Sequence, residues 1–85
     1  MKSSAVTVAA TATLVVAADD LNRHVYLHNG GGAKIYIGDE TVTTASGFHL
    51  ANNESIELFI PSRQTLYGVV ASGTNVINVL TPDGD

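Results

Sequence analysis

The sequence contains no cysteine, no tryptophan and only four cationic side chains. Without cysteine, neither a disulfide nor a thiolate metal site can stabilise a chain of 85 residues. The four cations are spread along a chain whose net charge is −4: Lys2, Arg23, Lys34 and Arg63. So sparse a cationic set argues against binding to nucleic acid phosphates and against docking on an anionic membrane.

Helix signals are also missing. No window of about a dozen residues shows the i, i+3, i+4, i+7 apolar stripe of an amphipathic helix. No apolar run reaches the ~18–20 residues that a membrane-spanning helix needs. Val, Ile and Thr instead number 10, 5 and 9, and these β-branched residues favour strands. The composition therefore predicts an all-β protein, and the length allows one domain.

Short apolar segments alternate with turn residues along the whole chain. Seven or eight of them are expected to be strands, drawn from residues 5–9, 12–17, 23–28, 34–37, 41–43, 48–50, 55–60, 65–71 and 75–80. This spacing predicts a small antiparallel β-sandwich, jelly-roll-like, as a single domain over residues 1–85. Residues 1–4 are small or flexible enough to order on contact with a partner, and residues 82–85 form a polar tail.

Asn29 and the three glycines after it predict a β-hairpin, because Asn-Gly tolerates the positive φ of tight turns. This hairpin would place Tyr26 and Tyr36 on adjacent strands, facing away from the core. An outward patch is then expected from these residues: Tyr26, Tyr36, His24, His28 and Lys34. Such a patch either binds a partner protein or a sugar, or is a cross-strand pair that stabilises the hairpin.

Two strands near the end of the chain are apolar on both faces. Residues 65–71 and 75–80 therefore need a second cover, which is either another subunit or a long loop of the same chain. The subunit alternative predicts self-association. The candidate interface residues come from these two strands, from the N-terminal segment and from the tyrosine patch. They are Val6, Val8, Tyr26, Tyr36, Tyr67, Val69, Ile77 and Val79.

No catalytic or metal-binding constellation can be assembled from the sequence. His24 and His28 share a strand face about 13 Å apart, too far to share one metal ion. The glycine triplet is followed by a strand and not by the helix of a phosphate-binding loop. No serine lies in a nucleophile-elbow pattern. We therefore expect no enzyme, no cofactor and no metal.

The order of turn glycines and strand residues resembles small β-sandwich virion proteins of tailed bacteriophages, especially head decoration or capsid cement proteins. The resemblance covers about residues 5–80, and similar arrangements occur in minor head-fibre and tail-accessory proteins. It rests on Arg23, Asn29-Gly30, Ile35-Tyr36-Ile37-Gly38, Val42-Thr43, Gly47, Leu50, Ser55, Leu66-Tyr67, Ala71-Ser72-Gly73 and Val76 through Leu80. The glycine triplet and the preceding His28 depart from the plainer polar turn of that family.

The resemblance implies a non-enzymatic structural protein of the virion, in many members a trimer on a symmetry axis of the capsid. Its partners would be further copies of itself and the major capsid protein. The alternative is a carbohydrate- or receptor-binding accessory module of a phage tail or head fibre. Residues 1–8 are expected to add a strand to a neighbouring sheet. Deleting them is then expected to weaken attachment while leaving the sandwich folded, provided that this strand is peripheral.

Overall fold

The structure, a computed structural model, describes residues 2–81. These residues form eight strands and no helix, which confirms the all-β prediction. The strands are β1 (Lys2–Ala9), β2 (Thr13–Val16), β3 (Arg23–Asn29), β4 (Ile35–Gly38), β5 (Phe48–Leu50), β6 (Ser55–Ile60), β7 (Leu66–Val69) and β8 (Thr74–Thr81). The expected polar tail, residues 82–85, lies outside the described part of the chain.

Two four-stranded antiparallel sheets pack face to face. Sheet A has the strand order β1-β8-β3-β6, and sheet B has the order β2-β7-β4-β5. The first strand thus pairs with the eighth, the second with the seventh, the third with the sixth and the fourth with the fifth. This is the pairing of a jelly roll, so the predicted sandwich is confirmed.

Alternation along each strand builds the core between the sheets. In β3, Val25 and Leu27 point inward and are almost fully buried, while Tyr26 between them is exposed. The core residues are the inward members of this pattern: Val8, Val15, Val16, Val25, Leu27, Ile35, Ile37, Leu50, Ile60, Val70, Ile77 and Val79. Their burial is the main favourable contribution to folding, about 1.5–3 kcal/mol for each fully buried Val, Leu or Ile.

One protomer closes this core by itself. Its accessible surface is 4869 Å², against the roughly 4,800 Å² expected for a folded monomer of this mass. A partner is therefore not needed to complete the hydrophobic core, and any partner must bind a surface that the folded protomer already presents.

The hairpin predicted at Asn29 is wrong. β3 lies in sheet A and β4 lies in sheet B, so the segment between them crosses from one sheet to the other. The cause is the Asn29 side chain, which is fully buried and donates to the carbonyl oxygens of Ala33 (2.7 Å) and Leu50 (2.9 Å). These bonds turn the chain away from β3 and hold it against the strands of sheet B.

Asn75 completes this buried polar cluster. Its amide donates to the carbonyl oxygen of Ala33 at 2.7 Å and lies 3.4 Å from Oδ1 of Asn29. The chain passes so close that a Cβ on Gly31 would lie 1.4 Å from Oδ1 of Asn75. The glycine triplet is therefore a tightly held crossover, and Gly31 is required there by the close approach of Asn75.

Residues 41–43, predicted as a strand, form part of a folded loop between β4 and β5. The Asp39 carboxylate accepts hydrogen bonds from the N–H (2.9 Å) and the hydroxyl (2.6 Å) of Thr41, which turns the chain before a ladder can form. Val42 is buried beneath this loop. A Cβ on Gly47 would lie 2.6 Å from Cβ of Tyr36, so the loop lies directly on the outer face of sheet B.

Residues 2–4 are not a loose segment, because they pair with β8 as the first half of β1. β1 is an edge strand, yet it supplies Val8, which is fully buried. Deleting residues 1–8 would remove this core side chain and leave β8 without a partner on one side. The prediction that the sandwich stays folded without residues 1–8 required a peripheral strand, and β1 does not meet that condition. Point substitutions in β1 are therefore the appropriate test.

Candidate functional site

The outer faces of the two sheets differ in what covers them. On sheet B, Val69 points outward beside Tyr36, yet only 4% of it is exposed. Loop 39–47 lies over this part of the face and contributes the buried Val42. The second cover expected for β7 is thus provided by a loop of the same chain, which was one of the two alternatives from the sequence.

No such cover lies over sheet A in the described residues. We call its outer surface the open face. The register places these side chains on it: Ser3, Ala5, Thr7 and Ala9 from β1, Thr74, Val76, Asn78 and Leu80 from β8, His24, Tyr26 and His28 from β3, and Ser55, Glu57 and Phe59 from β6. Its large apolar members are partly in solvent: Leu80 is 36% exposed, Val76 39%, Tyr26 44% and Phe59 54%. β8 therefore keeps an apolar side without a cover.

The open face carries very little charge. None of the four Lys and Arg residues belongs to it, and its one carboxylate, Glu57, lies 3.3 Å from Nδ1 of His24. The His24 ring also meets Phe59 edge-on, with ring centroids 5.2 Å apart. The His24 side chain on β3 is thus already paired with two side chains of β6.

A shallow groove of about 340 Å³ runs across the middle of the open face. Its apolar wall is Tyr26 and Leu80, and its polar wall includes Ser55 and Asn78. Nδ1 of His28 lies 2.7 Å from Oγ of Ser55, which fixes the orientation of the imidazole. The groove lining contains no Asp, Glu, Lys or Arg, so it suits a neutral ligand or an apolar contact better than an ion.

The predicted interface residues are scattered by the fold. Val8, Ile77 and Val79 belong to the core, and Val69 is buried beneath loop 39–47, so these four side chains offer nothing to a partner. Val6 faces inward from β1 and is half-buried.

The three tyrosines separate in the same way. Tyr36 and Tyr67 lie on the outer face of sheet B, where Tyr36 meets His49 edge-on with ring centroids 6.2 Å apart. Only Tyr26 lies on the open face. The patch predicted to combine Tyr26 with Tyr36 does not form, because the two residues belong to different sheets.

Sequence reasoning missed Val76, Leu80 and Phe59 as exposed apolar residues. β8 places Asn75 and Ile77 on one face, and Val76 and Asn78 on the other, so each face carries one amide among apolar side chains. Alternation alone does not indicate which face is buried. The signal that decides it is the pairing of Asn75 with Asn29, and this contact spans 46 residues of sequence.

The described residues contain no group of three or more metal-ligating side chains. His24 and His28 do share a strand face, as expected, and each is engaged with its neighbour on β6. Within the same residues, no helix is long and apolar enough to cross a membrane.

The Arg23 side chain is buried inside the protomer and binds backbone carbonyl groups. It is 7% exposed and donates to the carbonyl oxygens of Ala17 (2.8 Å) and Gln64 (3.3 Å). The guanidinium thereby ties together the segments that follow β2 and β6.

Comparison of the chain with family models, with curated proteins and with solved structures finds no match.

Proposed function

We propose that this chain is a non-enzymatic structural protein of a phage virion, which self-associates and attaches to the outside of the capsid through its open face. The assignment to a virion is based on the resemblance to phage proteins, and the proposed partner in the virion is the major capsid protein. The sandwich would bridge neighbouring capsid subunits. Because it binds the assembled shell and not the separated subunits, attachment would stabilise the shell by binding linkage.

The open face is the observation that carries this proposal. It is built on four hydrogen-bonded strands, so it is rigid before contact and loses little conformational freedom on binding. It presents apolar side chains that the protomer itself leaves uncovered, whereas the corresponding strand of sheet B is covered by loop 39–47. Exposed apolar patches bounded by polar residues are typical of protein contact sites.

Because the open face carries little charge, its contact with the capsid is expected to be mainly apolar and hydrogen-bonded. Without Lys or Arg on the face, electrostatic steering contributes little, and affinity depends on apolar burial and hydrogen bonds. Attachment is therefore expected to depend only modestly on salt, since added ions screen charges and not apolar contacts.

The direct experiment is co-sedimentation of the intact protein with capsids of its own phage prepared without it. Saturable attachment that persists at high salt would support the proposal. Native mass spectrometry of the free protein gives the number of copies, for which the resemblance implies three. A strictly monomeric protein that does not bind capsids would overturn the proposed function.

The groove on the open face favours a second candidate, the carbohydrate-binding module of a tail or head fibre. Tyr26 and Leu80 provide an apolar wall for one face of a sugar ring, and His28, Ser55 and Asn78 provide uncharged hydrogen-bonding groups. The volume of about 340 Å³ lies at the lower end of the range for small-ligand pockets.

This candidate is tested by NMR titration of the protein with neutral methyl glycosides. Specific shifts of the Asn78 side-chain amide signals that are lost in Tyr26→Ala would favour sugar binding over capsid attachment. The matched control is Tyr67→Ala, because Tyr67 lies on the outer face of sheet B. Unchanged spectra in the presence of every glycoside would remove the candidate.

A further inference from the structure

The four edge strands of the sandwich differ in how they are protected against pairing with another chain. β2 has four residues and a break in register between Leu14 and Val16, and β5 has only three residues. β6 carries Glu57 and is followed by Pro61. Short length, irregular register, charge and proline are the usual devices that prevent edge-to-edge pairing.

β1 has none of these devices along most of its length. It runs for eight residues in unbroken register with β8, contains no proline, and has its one charge, Lys2, at its first residue. The side chains of Ser3, Ala5 and Thr7 are small and exposed. A long edge strand without a charge along most of its length is a template for a further strand.

The backbone groups available on this edge can be identified from Ala9. Its N–H donates to Oγ1 of Thr13 (3.1 Å) and its carbonyl accepts from the N–H of Val70 (3.0 Å), so both groups point away from β8. In a regular antiparallel strand, residues two apart direct their backbone groups to the same side. Ser3, Ala5 and Thr7 therefore also direct theirs away from β8, toward the unpaired edge.

We propose that two copies of this chain pair antiparallel along β1, with Ala5 opposite Ala5 of the second copy and Ser3 opposite Thr7. This proposal rests on the self-association in the proposed function, and it gives a dimer in place of the trimer implied by the resemblance. This register is the symmetric arrangement in which the outward backbone groups of Ser3, Ala5 and Thr7 are all used by both copies. Each such pair exchanges two hydrogen bonds, so the contact contains about six.

The same register satisfies two further conditions. Residues opposite each other in a sheet point to the same side of that sheet. In this register Ser4 lies opposite Val6, and Lys2 lies opposite Val8, of the second copy. The inward faces of the two copies, and so their two cores, therefore lie on the same side of the joined sheet. The two Lys2 residues lie at opposite ends of the contact, about 20 Å apart. The dimer thus joins two sheets A into one sheet, and the two open faces form a single surface.

The contact is small, because one strand pair buries far less than the ~1,200 Å² of a standard stable interface. Dimerisation is therefore expected to depend on concentration between about 10 μM and 1 mM. A surface that binds several dimers would strengthen them by multivalency.

The test uses the absence of cysteine from the chain. In the proposed register the Cα atoms of Ala5 and its copy are about 5.5 Å apart, a distance that a disulfide can span. Ala5→Cys should form a covalent dimer under mild oxidation, several-fold faster than Asn78→Cys. Asn78 is the matched control because it lies directly opposite Ala5 on β8, on the same face and also exposed.

A second pair of variants keeps the test independent of new thiols. Ala5→Pro removes an outward N–H without removing a bond to β8, and should weaken dimerisation at least tenfold in sedimentation equilibrium. Ala5→Ser keeps the N–H and should dimerise as the unchanged protein does. Circular dichroism shows whether Ala5→Pro is folded; if it is not, the cysteine pair decides.

The results of these experiments distinguish a failure of pairing along β1 from a failure of self-association as such. Equal cross-linking of Ala5→Cys and Asn78→Cys, or a mass of three protomers, would overturn pairing along β1 while leaving self-association in place. A protein that stays monomeric up to about 1 mM and forms no covalent dimer would overturn both the pairing along β1 and the self-association in the proposed function. Attachment to capsids would still be decided by co-sedimentation.

Discussion

Asn29 is the residue on which the path of the chain depends most. Its fully buried amide donates two hydrogen bonds, and its Oδ1 accepts from the N–H of Gly31 at 3.1 Å. This set of bonds replaces the hairpin turn that Asn-Gly usually makes. A residue type that favours tight turns at the surface is here an internal anchor for the crossover between sheets.

Asn29→Ala is expected to lower the free energy of unfolding by about 2–4 kcal/mol, because it leaves buried carbonyl and N–H groups without partners. This is a large fraction of the roughly 4–13 kcal/mol total expected for a domain of this length. Urea unfolding followed by circular dichroism measures the change. Asn78→Ala, at an exposed position, should stay within about 0.5 kcal/mol of the unchanged protein. Equal effects of the two substitutions would contradict the anchoring role.

The pKa of the Asp39 side chain is lowered by the turn in which it lies. The hydroxyl of Thr41, and then its backbone N–H, donate to the carboxylate and lower the pKa of Asp39 below its ordinary value of 3.8. Since the folded pKa is the lower one, the ionised carboxylate favours the folded turn above the unfolded pKa. That contribution is lost as the pH falls through the folded pKa.

A carboxyl NMR titration between about pH 2 and pH 6 is expected to show a pKa of Asp39 that is lower than the ordinary value for aspartate. Thr41→Val removes the hydroxyl and should move the pKa back upward, whereas Thr44→Val in the same loop should leave it in place. An Asp39 pKa that does not respond to Thr41→Val would show that the hydroxyl is not its cause.

At the scale of elements, most strand positions were predictable, although residues 41–43 form a loop, and strand partners were not. Alternation of apolar and polar residues placed β6 at residues 55–60, as the structure has it. Alternation shows that one side of a strand is buried, but not which strand lies beside it. β3 and β4 follow each other in sequence and yet lie in different sheets, because Asn29 directs the crossover through contacts with distant segments.

The candidate site was less predictable for the same reason. Val69 and Val76 are the same residue type on neighbouring two-sided strands, yet Val69 is 4% exposed and Val76 is 39% exposed. The difference is caused by loop 39–47, which was itself predicted to contain a strand. Of the eight predicted interface residues, Tyr26 lies on the open face because the alternation of β3 fixed its direction correctly.

Loop 39–47 is expected to stabilise sheet B through Val42. Val42→Ala removes two buried methyl groups and should lower the free energy of unfolding by about 1.5–3 kcal/mol. Thr44→Ala, exposed in the same loop, should have little effect. Hydrogen exchange at the amide of Val69 should accelerate in Val42→Ala alone. Unchanged stability and exchange would mean that the loop does not cover this strand.

At the scale of the whole molecule, the jelly roll has two sides with different properties. One side is partly covered by the chain's own loop, and the other is an open, weakly charged face on four strands. Pairing along β1 would extend this face without covering it. Self-association and attachment to a shell would therefore use different surfaces of the same protomer, so both contacts can be occupied together.

The measurement that tests this account most directly compares the same substitution on the two sides of the molecule. Leu80 on the open face is 36% exposed, and Leu14 on the outer face of sheet B is 43% exposed. Leu80→Glu and Leu14→Glu add the same charge at similar exposure, and circular dichroism confirms that each variant is folded. In co-sedimentation with phage capsids prepared without this protein, the proposed attachment predicts that Leu80→Glu binds at least tenfold less than the unchanged protein and that Leu14→Glu binds as well as it. Full attachment of Leu80→Glu, or equal loss in both variants, would contradict the open face as the contact surface.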